Sequence, residues 1–576
     1  MGSSDDLPTP VEGPPTHEKD DTGRWRSYTK KKRPWRLVVT DFEAIVNADY
    51  AGSGTSEDPY IVDWLDDDPE NPKTYTERMK WGVTLLAATL TLCVAFASSA
   101  YSGAVDSIIE HFHCSEEVVI LGMSLMVLGY AVGPLLWAPL SETFGRRYVF
   151  LISLVFCTLW LSLCAASPNI QSLIIFRFLS GTFGSSALVI PGGEIADMFE
   201  TETRGIAVGI FCVAPFMGPA IGPLIGGFLG TAAGWRWVMG FLGIFAGCLT
   251  AIGVVLLPET YAPALLRSRA KLLSQVTGRV YLTAMDARNP LNIRELIKHS
   301  LIRPWVLLFL EPIVLSLTLY MSVVYGTLYL CFAAFPIVFQ AGRGWNPGVG
   351  GLGFMGVLVG FLTGVFVVIF DNKRYIRWHR KTNGFAPPEC RLPPAIWGGL
   401  AIVVGLAWFA ATNGPNIHWA SPIIAGFPFG LGFVLVFLCC ANYLVDAYVI
   451  YAASVLAANS VMRSLFGAIF PLFTTYMYRD IGIHWGSAVP GFIALLCLPF
   501  PVLFYVYGAR IRRKCKYAAE AAEHLDNARG RLERSTSRAT SRAEIERARR
   551  VASRDSDMRA GVEEEDEAAR EDGVKW

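Results

Sequence analysis

The sequence predicts an all-α membrane protein. Of its 576 residues, 52% are hydrophobic and 17% are charged, whereas a soluble domain carries about 25% charged residues. Apolar runs without charge recur along the chain, and each approaches or exceeds the roughly 20 residues that a membrane helix needs. The run between Arg204 and Arg236 also carries regularly spaced glycines, which are typical of tightly packed membrane helices.

The apolar runs predict twelve spans, six in each half of the chain. They lie near residues 81–104, 118–140, 148–167, 172–195, 205–230, 237–257, 304–332, 348–370, 394–412, 419–443, 450–477 and 486–508. The polar first segment contains no apolar signal-peptide core and is expected to be largely disordered. The predicted divisions are an N-terminal tail, a six-helix unit, a central loop, a second six-helix unit and a charged tail, at residues 1–79, 80–258, 259–303, 304–508 and 509–576.

Basic residues predict the orientation of the spans. Lys and Arg concentrate in the tails, the central loop and the loops after the second, fourth and eighth spans, whereas the opposite loops hold isolated basic residues such as Arg343. Because loops rich in Lys and Arg face the cytosol, both termini are expected there. The expected location is the plasma membrane, with a vacuolar membrane as the alternative.

Several function classes are disfavoured. The sequence contains no G-x-x-x-x-G-K-[ST] loop for ATP, and its net charge of +1 gives no indication of nucleic-acid binding. The loops show no histidine box and no nucleophile–base spacing, so neither an enzyme nor a cofactor is expected. The cluster His111-Phe112-His113-Cys114 lacks a second set of ligands, and no metal site is predicted.

The glycine-rich run predicts a bent helix with one face of nearly bare backbone. Three of its glycines, Gly218, Gly222 and Gly226, lie four residues apart and therefore on one side of a helix. Pro223 removes a helical hydrogen bond and favours a bend. A neighbouring helix can approach such a face closely, and we hypothesise that it seals against this face. The complete pattern comprises Gly209, Gly218, Gly222, Pro223, Gly226 and Gly227.

The loop between the second and third spans reads A-P-L-S-E-T-F-G-R-R over residues 138–147. Its glycine permits a tight turn, and its glutamate can face the N-terminus of a helix from the other half. Its two arginines can pair with carboxylates at the inner end of span four. We interpret this constellation as a gate; the alternative is that the arginines only mark a cytosolic loop. The predicted gate residues are Glu142, Gly145, Arg146, Arg147, Glu194 and Asp197.

Together these patterns resemble the major facilitator superfamily, and in particular its fungal drug:proton antiporters with twelve spans. The loop departs from the family pattern G-x-L-[AS]-D-R-x-G-R-[RK] at Ala138, Glu142 and Thr143. The glycine run matches the family's antiporter motif of span five at every fixed position. The stretches 68–72 (D-P-E-N-P) and 258–263 (P-E-T-Y-A-P) point the same way. The resemblance covers residues 65–510 and implies two pseudo-symmetric six-helix bundles.

Three charged residues fall inside predicted spans, where an arginine at the centre costs about 2.5–3.5 kcal/mol. Glu311, placed a third of the way along span seven, is a candidate proton-binding group; the alternative is a structural ion pair with Arg463 of span eleven. Arg177 and Gly181 match the family's R-x-x-x-G pattern of span four. That resemblance implies a role for Arg177 in proton coupling.

Polar and aromatic residues on helical faces predict a substrate cavity. Tyrosines on span seven can hold an apolar or cationic compound by stacking, although plain packing is the alternative. Asparagines can bind substrate or join helices. The predicted cavity residues are Ser322, Tyr325, Tyr329, Asn442, Asn459 and Arg463.

The resemblance implies export of drugs, toxins or polyamines in exchange for protons by alternating access. The expected partners are a small-molecule substrate, protons and the lipid bilayer, without nucleic acid, and the chain is expected to be monomeric. Two alternatives stay open: a proton-independent facilitator or nutrient importer, and a membrane sensor that does not transport.

Overall fold

The computed structural model describes residues 39–288, 293–381 and 386–524, and nearly all of its regular structure is helical. A short helix and a short strand, α1 (Phe42–Val46) and β1 (Tyr60–Val62), precede the first membrane span. The first six spans comprise α2 (Glu77–Ala100), α3 (Val105–Phe112), α4 (Glu116–Phe144), α5 (Arg146–Ala165), α6 (Ile170–Gly184), α7 (Ser186–Met198), α8 (Thr201–Ala233) and α9 (Trp235–Leu256). Span 1 joins α2 with α3, and span 4 joins α6 with α7.

A polar connection with its own short elements leads to the second half of the molecule. It contains α10 (Ala262–Thr277), β2 (Tyr281–Thr283), α11 (Ala284–Arg288) and α12 (Ile293–Leu310). The remaining spans comprise α13 (Pro312–Phe335), α14 (Pro347–Gly351), α15 (Met355–Lys381), α16 (Pro393–Thr412), α17 (Ala420–Ala447), α18 (Ala452–Cys497) and α19 (Pro499–Lys514). A further helical turn segment covers residues 516–524.

The last two spans lie in one helical stretch, Val449–Lys514, which reverses at Gly482. A straight helix of 66 residues would be about 99 Å long, roughly three times the thickness of a bilayer core. Gly482 has a φ of 83°, and Tyr478 and Ser487 on either side of it share a hydrogen bond of 2.8 Å. The chain therefore turns back here, so the eleven apolar helical stretches of the described residues make twelve crossings.

The helices form two six-helix bundles. Span 1 packs on span 5 within the first bundle, and span 7 packs on span 11 within the second. The main contacts between the bundles join span 2 to span 11 and span 5 to span 8. Spans 2 and 5 of the first bundle are equivalent to spans 8 and 11 of the second, six spans further along the chain. The 2–11 contact is therefore equivalent to the 5–8 contact, as expected for two pseudo-symmetric bundles. We call the end of the molecule that carries Glu77, Gly145 and Lys514 the tail face, and the opposite end the far face.

Residues 39–76, before span 1, have regular structure of their own, and the sequence predicts a short ordered stretch near the end of this tail. Strand β1 pairs in parallel with β2, so that Tyr60 lies opposite Tyr281. Beside the strands, the buried guanidinium of Arg269 contacts Asp68 at 2.6 Å and Glu70 at 3.1 Å. We call residues 39–76 together with residues 262–288 the tail module. The expectation of disorder for residues 1–38 lies outside the described residues.

Candidate transport site and gate

Arg177 lies fully buried in α6, inside the first bundle. Its Nε donates a hydrogen bond to the carbonyl of Gly122 at 2.9 Å, and its Nη2 donates to the carbonyls of Ala97 and Ser98 at 3.4 and 3.3 Å. Its guanidinium carbon lies 4.1 Å from the centre of the Tyr101 ring. Among the described residues, no carboxylate forms an ion pair with Arg177. Main-chain dipoles and an aromatic face therefore hold this charge.

A series of side chains leads from Arg177 into the second bundle. Ser98 Oγ and Tyr329 Oη share a hydrogen bond of 2.9 Å, and Tyr325 Oη donates to Tyr329 Oη at 3.4 Å. The guanidinium of Arg463 then lies 5.4 Å from the centre of the Tyr325 ring. We call these five residues the arginine path, because they join one buried arginine of each bundle.

Two neighbouring side chains on α18 retain unused polar atoms. Asn459 and Arg463 lie one helical turn apart, and neither Asn459 Oδ1 nor Arg463 Nε has a hydrogen-bond partner among the described residues. The hydroxyl of Ser322, by contrast, donates a hydrogen bond to the carbonyl of Thr318 at 2.7 Å. Asn442 is half-buried in α17, and no described hydrogen bond joins it to the arginine path. The structure thus groups Tyr325, Tyr329 and Arg463, with Asn459 one turn from Arg463, and no described hydrogen bond joins Ser322 or Asn442 to this group.

Glu311 lies at the tail-face end of span 7, and the predicted position inside that span is wrong. The apolar run continues across a break in the helix, since α13 begins only at Pro312. The buried carboxylate accepts hydrogen bonds from the Tyr448 hydroxyl at 2.8 Å and the Tyr517 amide at 2.9 Å. The described residues show no ion pair between Glu311 and Arg463. Glu311 therefore attaches the segment after span 12 to the base of span 7.

The predicted gate loop makes a sharp turn between α4 and α5. Gly145 has a φ of 99°, which residues with a Cβ rarely adopt. Arg146 pairs with Asp197 of span 4 at 3.3 Å and with Glu142 of its own loop at 3.8 Å. The guanidinium of Arg147 donates to the carbonyls of residues 254 and 257 at the end of span 6. The described ion pair of Glu142 is local, so it differs from the predicted contact with a helix of the other bundle.

Glu194 does not form the predicted ion pair. Its side chain is 1% exposed, and both carboxylate oxygens lack a hydrogen-bond partner among the described residues. Arg146 lies close by, because a Cβ on Gly193 would be 2.7 Å from the guanidinium carbon. That guanidinium is directed instead to Asp197 and, at 2.8 Å, to the Ser141 hydroxyl.

Glu259, just after span 6, organises the main chain of the gate. Its carboxylate accepts hydrogen bonds from the amides of Arg146, Arg147, Thr260 and Tyr261 at 2.9, 3.2, 3.1 and 2.9 Å. Two of these amides begin α5, so Glu259 caps that helix. Burial raises the pKa of Glu259, although these backbone hydrogen bonds act in the opposite direction. The P-E-T-Y-A-P stretch was the only sequence signal for this residue.

The glycine face of α8 lies directly against α2. A Cβ added at Gly218 would lie 2.6 Å from Ala95 Cβ, and one added at Gly222 would lie 2.8 Å from the amide nitrogen of Ala100. A Cβ at Gly226 would meet the carbonyl of Ala100. Spans 1 and 5 therefore touch backbone to backbone, as the spacing predicts.

The other residues of the glycine pattern face the second bundle. A Cβ on Gly351 of the span 8 region would lie 2.7 Å from the carbonyl oxygen of Pro223, and one on Gly227 would meet the carbonyl of Pro347. Gly209, nearer the tail face, lies opposite Ile369 of α15. The pattern thus serves two contacts, one within the first bundle and one between the bundles.

A cavity of about 70 Å³ lies between spans 1, 2 and 7 towards the far face. Its lining includes the aromatic residues Tyr101 and Phe332 and the acidic residues Asp106 and Glu116. Because the Tyr101 ring covers Arg177, the cavity reaches the first bundle's end of the arginine path.

Comparisons with known proteins agree with this architecture. The family model described as Major Facilitator Superfamily matches residues 87–471. The chain is 56% identical over 501 residues to the "MFS-type efflux pump MFS2" of Trichophyton rubrum, with 86% of this chain and 84% of that protein covered. It is 55% identical over 500 residues to the "Major facilitator superfamily multidrug transporter mdrA" of Aspergillus fumigatus, with 86% and 82% covered.

A solved structure shows the same fold. The xylose transporter XylE of E. coli, in a partially occluded inward-open conformation, aligns with a TM-score of 0.52, 17% identity, and coverage of 74% of this chain and 99% of that chain. At this identity the likeness concerns the fold alone. The family match and the two relatives show that the chain belongs to the major facilitator superfamily and is a multi-pass membrane transporter, not an enzyme.

Proposed function

We propose that this chain exports small organic compounds in exchange for protons by alternating access, from a plasma membrane with both termini in the cytosol. The observation that carries the proposal is the arginine path, which crosses between the bundles where Ser98 meets Tyr329. Alternating access requires the two bundles to rock about a central site, and this contact joins the two bundles that would move. The relatives named efflux pump and multidrug transporter support the direction of transport.

Arg177 is the residue that best fits a proton-coupling role. A buried cation without a carboxylate partner is sensitive to every change of charge and hydration around it. Arg463 and Asn459 offer free polar atoms to a substrate beside the tyrosines of the arginine path. A proton-coupling role for Glu311 remains a prediction, with its carboxylate held at the tail face.

The free energy that proton exchange supplies differs between neutral and cationic substrates. A proton that enters down ~100 mV and one pH unit releases about 3.7 kcal/mol. Exchange for one neutral molecule can sustain roughly a 500-fold gradient, whereas exchange for a monovalent cation cancels the electrical part and leaves about tenfold. Single-proton exchange therefore favours neutral compounds.

The test is export of a panel of neutral and cationic toxic compounds from cells that lack their own pumps. We expect cells with the chain to accumulate less compound, and a protonophore to abolish the difference. Export that survives collapse of the pH gradient would indicate a proton-independent facilitator. Retained signalling by a transport-dead Arg177 variant would indicate a sensor.

The gate is tested by Arg146→Ala. Loss of the contacts with Asp197 and Glu142 is expected to lower turnover more than the amount of folded protein in the membrane. Equal losses of turnover and membrane protein would remove the support for a gate.

A further inference from the structure

We propose that Glu194 is a proton-binding site whose protonation is coupled to closure of the tail-face gate. The proposal rests on the alternating access proposed above, but not on the exchange of substrate for protons. Glu194 faces the gate loop from the tail-face end of span 4, the span that also carries Arg177 of the arginine path.

The geometry around the carboxyl group is the first support. Glu194 is 1% exposed, and neither of its oxygens accepts a hydrogen bond from any described residue. An ionised carboxylate that is removed from solvent and has neither a hydrogen bond nor an ion pair is far more costly to bury than the neutral acid. In the conformation seen here, Glu194 therefore carries a proton.

The neighbouring charges give the second support. Arg146 is the nearest cation of the gate, and it contacts Asp197, Glu142 and the Ser141 hydroxyl instead of Glu194. The carboxylates of Glu259 and Asp197 add negative charge beside Glu194 and disfavour a further anion, whereas the Arg146 guanidinium acts in the opposite direction.

Among the side chains that the structure describes, the other cations on the elements that pack against α7 are paired, held by carbonyls or exposed. Lys80 pairs with Glu77 at 3.3 Å, and Arg204 donates to the carbonyls of Ala196 and Phe199. Main-chain carbonyls also accept hydrogen bonds from Arg147 and Arg177. The side chains of Lys73 and Arg78 are exposed.

The proton balance of the switch follows from these contacts. When the gate opens, water reaches the carboxyl group, the O–H bond breaks, and the proton passes to water on the tail face. Closure takes one proton back from the same side, so the cycle carries no net proton across the membrane. The closed state binds the extra proton, and acid therefore favours closure. Each pH unit changes the ratio of closed to open states by up to tenfold.

Infrared spectroscopy of the purified chain tests the protonation directly and needs no substrate. We expect the C=O stretching band of a protonated carboxyl group at neutral pH, and its loss in Glu194→Gln. Glu194→Asp keeps a titratable group and should keep a band, which separates loss of the acid from misfolding. Glu43→Gln, which removes an exposed carboxylate of the tail module, should leave the spectrum of the protonated acid unchanged.

Hydrogen exchange of the gate segment 140–150 tests the coupling. The quantity compared is the ratio of the hydrogen-exchange rate of this segment in the wild type to that in Glu194→Gln. Between about pH 6 and about pH 9 this ratio should rise by up to tenfold per pH unit. Glu43→Gln should follow the wild type. A spectrum without a band specific to Glu194, or identical exchange in wild type and Glu194→Gln, would overturn the inference. Export that proves independent of protons would overturn only the antiport proposal and leave both readouts of Glu194 intact.

Discussion

Replacing Gly218 by alanine tests the contact between spans 1 and 5. The added Cβ would lie 2.6 Å from Ala95 Cβ and 2.7 Å from the Phe96 amide nitrogen, whereas ordinary contact begins at 3.4 Å. The distance between the added Cβ and Ala95 Cβ is thus 0.8 Å shorter than that of an ordinary contact. A backbone nitrogen and a Cβ cannot rotate away, so the two helices have to separate.

The cost can be bounded. Overpacking of this kind costs typically about 1–3 kcal/mol, and the higher helix propensity of alanine returns at most ~1 kcal/mol. Gly218→Ala should therefore lower stability by roughly 0–3 kcal/mol while disturbing a contact on which the seal depends. Gly82 of α2 is the matched control, because its Cβ would meet nothing within 4 Å.

The assay compares Tm of the purified variants and export at equal membrane levels. We expect Gly218→Ala to lose Tm and export, and Gly82→Ala to keep both. The bulkier Gly222→Leu should abolish export while the protein remains folded in the membrane. If Gly218→Ala matched Gly82→Ala in both measurements, or if Gly222→Leu exported normally, the reasoning about the bare helix face would be wrong.

Three further predictions concern buried polar groups. Arg177→Lys keeps the charge but loses the planar guanidinium that donates to several carbonyls. Because each lost hydrogen bond of a charged group is worth about 1.5–3 kcal/mol, export should fall at least about tenfold at equal expression. Tyr329→Phe removes one inter-bundle hydrogen bond worth about 1 kcal/mol, which should shift the ratio of conformations roughly fivefold in hydrogen exchange. Burial opposes ionisation of Asp68, yet hydrogen bonds from Arg269 and Thr40 hold its pKa below the usual value. The contribution of Asp68 to the stability of the tail module should therefore persist above about pH 4 and be lost as pH falls further. Asp68→Asn should raise hydrogen exchange of residues 39–76 at neutral pH as well, and unchanged exchange would contradict this role.

Most of the membrane architecture could be predicted from local patterns. Charge-free runs mark the spans because a bilayer core excludes charge, and glycines four residues apart mark a close helix contact because that spacing is a property of one helix. The error at Glu311 has the same origin. Hydropathy continues smoothly from α12 into α13, whereas the break at Pro312 and the partners Tyr448 and Tyr517 are features of backbone geometry and of distant segments.

The sequence by itself determined the twelve spans, the glycine face of span 5, the turn at Gly145 and the presence of a charged residue at position 177, since each depends on residues near one another in the chain. Only the tertiary structure decided which groups meet. It placed Glu259 on the amides of Arg146 and Arg147, joined β1 to β2 across more than two hundred residues, and left Glu194 buried without a partner. The physical reason is that hydrogen bonds and ion pairs depend on distances of about 3 Å between atoms, which the order of residues does not specify until the helices have packed.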